Sequence, residues 1–95
     1  MNYVMVCAEF PGAAQEQLNE IHNWLSERNW IPVISPGDQL TNVWQGTFKH
    51  KMLEKDCRAI TTKSFMEAAK NYCEVELNIL WAATKPIADR VTLVG

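Results

Sequence analysis

The chain has no long hydrophobic run: stretches such as residues 4–8 fall far short of the roughly 20 residues a bilayer-crossing helix requires. It also lacks a basic amino-terminal region followed by a small-residue cleavage site. No secretory leader is therefore expected, and the cytoplasm is the expected compartment. Paired cysteines are missing too. Cys7, Cys57 and Cys73 are odd in number, none stands in a C-x-x-C spacing, and His22 and His50 stand near none of them, which excludes the usual zinc patterns. Three such thiols are expected to be reduced, small and partly buried hydrophobes. No resident cofactor is expected. Positive charge is scarce in the first half: residues 1–48 carry Arg28 alone against five acids, a net of −4. That half offers nothing to a phosphate backbone.

What remains is enough for a core. Ninety-five residues at 47 % hydrophobic content make one domain spanning 1–95, without repeats, low-complexity tracts or linkers. Residues 3–10 alternate, with Val4, Val6, Ala8 and Phe10 on one side and Tyr3, Met5, Cys7 and Glu9 on the other, and they close on Pro11-Gly12. This predicts a central strand. Ala14, Leu18, Ile21 and Leu25 recur at helical spacing, which predicts an amphipathic helix over 13–28 with Asn29 just past its end. Residues 30–35 form a short strand that Pro32, having no N–H, confines to a sheet edge. A turn at Pro36-Gly37-Asp38 leads to a strand over 43–52.

Residues 53–62 read either as helix, through Leu53, Cys57 and Ile60, or as a short strand after a turn at 54–56. Ser64-x-x-Glu67 has the spacing of a capping box and predicts a second helix start, with Phe65, Ala68, Ala69 and Tyr72 on one face. Residues 74–82 alternate as a half-buried strand, and residues 90–94 offer a further short C-terminal strand. The order β-α-β-β-α-β, with short connections, predicts an α+β ferredoxin-like fold: an antiparallel sheet with two helices on one face. Tyr3, Met5 and Cys7 then lie on the open face, apolar enough to call for a homodimer or for cover by the C-terminal strand.

Residues 49–70 reverse the charge, with six bases against three acids, a net of +3. Lys49, Lys51, Lys55 and Arg58 are the candidate nucleic-acid-binding set, with a solvated face as the plain alternative. An RNA-recognition platform would need aromatics that Q45-G-T-F-K-H-K51 does not supply, and Trp44 and Phe48 alternate away from Lys49 and Lys51. Glu9, closing the first strand ahead of Phe10-Pro11-Gly12, is the candidate catalytic acid. In a two-fold dimer, two such carboxylates would hold a divalent cation such as Mg²⁺. His50 is the candidate general base. Either could equally be an ordinary solvent-facing residue.

Y3-V-M-V-C-A-E-F-P11, an amphipathic helix with an aromatic near its end, L40-T-N-V-W44 opening a strand, and A59-I-T-T62 before a helix resemble the GhoS-type antitoxin endoribonucleases. The resemblance covers most of the chain through short motifs. It implies a ferredoxin-like fold related to the small CRISPR-associated ribonucleases, and binding or cleavage of single-stranded RNA. The chain departs from that family by one extra residue in the first strand, by Glu9 where the family has Asp, and by few bases before Lys49. The other reading is a non-enzymatic protein-binding module, such as an inhibitor, immunity or anti-defence factor, working through the open face or a sheet edge. Four tryptophans suit an interface, and suit a small core equally well.

Overall fold

The computed structural model describes residues 2–34, 37 and 41–82. Alternation at the start of the chain produces β1, Asn2–Glu9, in which Asn2, Val4, Val6 and Ala8 are buried and the odd-numbered residues are partly or fully exposed. The helix α1, Gln15–Glu27, buries Ile21 and Leu25. The Gln17 side chain accepts the Ala14 N–H at 2.9 Å at its start. At its end Trp30 N–H reaches the Leu25 carbonyl and Asn29 N–H the Ser26 carbonyl, a Schellman closure. Asn29 takes the left-handed φ of 68° that this closure requires. The chain then enters β2, Ile31–Pro32, paired to β3, Val43–Phe48, with Pro32 at the sheet edge as expected.

The strand predicted over 43–52 stops at Phe48, and a buried side chain is the reason. The Asn2 carboxamide donates to the carbonyls of Met52 (2.7 Å), His50 (3.4 Å) and Lys49 (3.5 Å). Met52 N–H closes the turn on the Lys49 carbonyl at 3.0 Å. Three carbonyls gathered on one amide cannot also continue a sheet ladder.

The ambiguous segment is helical, and the helix does not begin at Ser64. The helix α2 runs Glu54–Ala69 from an extended N-cap at Leu53, with Glu54 and Asp56 in its first turn. Those acids favour a helix N-terminus through the backbone dipole. Its buried residues Cys57, Thr61, Phe65, Ala68 and Ala69 recur every three or four positions, so one continuous apolar stripe carries the helix past Ser64. Beyond its end, Tyr72 is exposed, and its hydroxyl donates to Glu20 of α1. The last described strand is β4, Glu76–Ala82.

The sheet order is β2-β3-β1-β4, antiparallel throughout, and consistent with a ferredoxin-like α+β fold. Both helices pack on the even-numbered face of β1, where Val4, Val6, Ala8, Ile21, Leu25, Trp44, Cys57 and Phe65 form the core. The predicted turn at 36–38, apart from Gly37, and the C-terminal strand at 90–94 lie outside the described residues. No helix among the described residues is long and apolar enough to cross a membrane.

Trp30 packs edge-on to Phe65 at 5.0 Å and to Phe48 at 6.3 Å, with its six-membered ring lying over Gly46. A Cβ at Gly46 would sit 2.3 Å from that ring. Gly46→Ala is therefore expected to cost about 1–3 kcal/mol, the usual penalty of overpacking. Thermal or urea unfolding measures it. A Gly46→Ala midpoint equal to the parent's would place the Trp30 ring elsewhere.

Candidate functional site

The register of β1 defines the surface opposite the helices. Met5 pairs with Gln45 on one side and Leu80 on the other, and Gln45 pairs with Ile31, so Ile31, Gln45, Met5 and Leu80 form one row across all four strands. Cys7 sits between Val43 and Asn78, and Tyr3 between Thr47 and Ala82. Leu80 is 71 % exposed and Ile31 57 % exposed, and Cys7 is also exposed. Tyr3 and Met5 are half-buried, so the outward series expected from the sequence is in place. Within the described strands this face carries no lysine or arginine. Its charge is confined to one end, where Glu9 pairs directly with Glu76. Like charges directly opposite each other in an antiparallel pair are unfavourable.

Glu9 closes β1 in solvent, as its position suggested. Its nearest polar neighbour is Asn42, whose amide reaches both carboxylate oxygens at 3.4 Å, while the Asn42 backbone carbonyl accepts from Ala8 N–H at 2.7 Å. His50 stands at the other end of the sheet, in the turn held by Asn2. Seven steps along the strand separate Asn2 from Glu9, about 23 Å. Glu9 and His50 are thus not an acid–base pair within one chain. Among the described residues no three His, Cys, Asp or Glu side chains are grouped to hold a metal ion.

The structure divides the four proposed phosphate-binding residues. Lys49 and Lys51 are exposed around the turn, and Lys55 is exposed in the first turn of α2. Arg58 is engaged elsewhere: its Nε meets Glu54 at 3.0 Å and its Nη1 donates to the Ile79 carbonyl at 3.0 Å, fastening α2 to β4. Beside it lies a cleft of about 930 Å³, lined by Arg58, Thr62, Met66, Lys70, Cys73 and Val75 among others. Burial pushes the Cys73 thiol up, away from the thiolate a nucleophile needs. Cys57 is buried and Cys73 half-buried as expected, whereas Cys7 is exposed.

Residues that the linear pattern did not single out also shape this end of the molecule. Trp44 lies in the core with its ring 4.7 Å from His22. Trp44 Nε1 and His22 Nε2 are both sealed from solvent without a partner among the described residues, and both residues line a cavity of about 40 Å³ with Phe10, Leu18, Thr41 and Asn42. That is room for one water molecule. Asn42 and Glu76 acquire meaning only once register brings them to Glu9. Leu80 had a visible signal, being the one apolar residue in the outward series Glu76, Asn78, Leu80.

Burial lowers the His22 pKa from its ordinary 6.5, and every residue lining the adjoining cavity is uncharged. The unfolded chain therefore takes up this proton at a higher pH than the folded one. The folded state keeps its full His22 contribution above about pH 6.5 and loses it as pH falls toward the lowered folded value. Urea midpoints at pH 7.5 and 5.5 are expected to show a drop that shrinks in His22→Gln. An equal drop in both proteins would remove His22 as its source.

No protein-family model, curated protein or solved structure matches this chain.

Proposed function

We propose that this chain is a non-enzymatic protein-binding module that engages its partner through the open face of the sheet. The supporting observation is the row Ile31–Gln45–Met5–Leu80, which is uncharged and ends in two strongly exposed aliphatic side chains. Protein interfaces combine such a charge-free centre with a polar rim. Here Asn78, Thr47 and the Glu9–Glu76 pair supply the rim. Among the described residues Met5 and Leu80 have no helix to pack on, because both described helices occupy the other face. A cytoplasmic setting suits this reading, since it keeps the exposed Cys7 reduced.

A second reading, an RNA-binding or RNA-cleaving protein of antitoxin type, draws on one observation. Lys49, Lys51 and Lys55 are exposed close together in sequence, and none joins an ion pair among the described residues. It is the weaker reading because Glu9, the acid it would use, lies at the opposite end of the sheet from those bases.

Titration with a labelled single-stranded RNA, at two salt concentrations and with and without Mg²⁺, separates the two. The module reading expects no cleavage, and no complex tighter than about 100 µM at physiological salt. It fails if RNA binds with a steep salt slope that Lys49→Glu/Lys51→Glu abolishes. Captured partners are expected to be lost on Ile31→Asp or Leu80→Asp and retained on Lys51→Glu/Lys55→Glu.

A further inference from the structure

We infer that the open face docks a second copy of this chain, with the molecular two-fold axis lying along the row Ile31–Gln45–Met5–Leu80. This rests on the reading of that face as a protein-docking surface and names its partner. A two-fold axis along the row sets each of its residues against itself: Leu80 on Leu80, Met5 on Met5, Ile31 on Ile31. The most exposed apolar side chains of the face, at 71 % and 57 %, then cover one another. A two-fold axis parallel to the strands, between β3 and β1, would also cover them, with Leu80 on Ile31, so exposure alone does not choose between the two axes.

Charge selects the axis along the row. Glu9 lies four residues beyond Met5 along β1, about 13 Å from the row. Glu76 is its cross-strand partner, and two adjacent carboxylates call for a cation. Lys49 opens the exposed turn that follows β3, one residue past the strand end. Because β3 runs antiparallel to β1, that turn lies on the opposite side of the row from Glu9. Rotation about the row therefore brings the Glu9–Glu76 end of one copy against the Lys49 end of the other, twice per dimer. An axis parallel to the strands would instead bring four carboxylates together.

The area sets the strength. Strands of eight, two, six and seven residues, at about 4.8 Å spacing and about 3.3 Å per residue, present roughly 360 Å² of projected face per copy. Two such faces total roughly 720 Å² in projection, below the about 1,200 Å² of standard interfaces and in the range of weak, transient ones, so a dissociation constant of about 100 µM is expected. Sheets packed face to face sit about 10 Å apart, within reach of a Lys–Glu pair.

Sedimentation over roughly 1–500 µM, the range such an affinity requires, is expected to show the 10.9 kDa chain passing from monomer to dimer. Leu80→Glu, at an exposed position that leaves the fold intact by circular dichroism, is expected to weaken the dimer at least about 100-fold. Glu9→Lys is expected to weaken it about tenfold, and Glu9→Lys/Lys49→Glu to restore it. Alkylation of Cys7, resolved by peptide mass, is expected to slow about tenfold across the same transition. A wild-type chain that stays monomeric, a dimer indifferent to Leu80→Glu, or a charge swap that fails to restore association each overturns the inference. If the chain stays monomeric while Leu80→Asp still abolishes capture of another protein, the docking face stands and only the identity of its partner falls.

Discussion

The close approach of Trp30 to Gly46 holds the two halves of this molecule together. Trp30 ends the Schellman closure of α1, leads directly into β2, and lays its ring over β3 at the one position without a side chain. From there the ring meets Phe65 of α2 edge-on at 5.0 Å, and Phe65 meets Trp44 at 6.2 Å. A helix end, two strands and the second helix thus converge on one aromatic cluster, whose members contribute beyond the area they bury. The left-handed Asn29 matters for the same reason, since it turns the chain so that Trp30 points inward. β2 is only two residues long, and its place in the sheet depends more on this anchor than on its own ladder.

With the helix side closed by that cluster, alternation in β1 decides what the other side becomes. Each strand residue has one of two addresses, and the even ones are all taken into the core. Met5, Cys7 and Leu80 are apolar residues left on the solvent address. Sequences that gain nothing from such positions fill them with polar side chains, as Asn78 and Thr47 do in this same sheet. Placing aliphatic side chains at both ends of one transverse row costs solubility, a cost that the proposed docking of a partner surface would offset.

The element order, the edge position of Pro32, the helix stop at Asn29 and the two faces of β1 were all legible in the sequence, because each depends on local chemistry or on a period-two pattern. The start of α2 was not. Ser64-x-x-Glu67 has capping-box spacing, but the buried series Cys57, Thr61, Phe65 and Ala68 runs straight through it, and packing along a whole helix outweighs one local motif. The end of β3 was hidden for another reason. The amide that stops it belongs to Asn2, nearly fifty residues away, and no window of neighbouring residues contains both. The surroundings of Glu9 were equally illegible, since Asn42 and Glu76 reach it only through the register of two different strands. Local signals identified elements, and non-local contacts decided where they ended and which residues met.

The uneven charge along the chain is subject to the same distinction. A net of +3 over residues 49–70 suggests a basic surface, yet helix geometry disperses it. Arg58 is held by Glu54 and by the Ile79 carbonyl, and Lys70 by Glu67 at 3.1 Å. Exposed pairs of this kind add little stability, but they do remove charge from a phosphate-binding surface. What survives is Lys49, Lys51 and Lys55 at one end of the sheet and Lys63 farther along α2, with Glu9 and Glu76 at the opposite end of the sheet. The antiparallel order of β1 and β3 converts an asymmetry along the sequence into two poles on one molecule, with an uncharged row between them. A nucleic acid would follow the basic pole and leave the row exposed to water. A protein surface with the reverse polarity would meet the row and both poles at once.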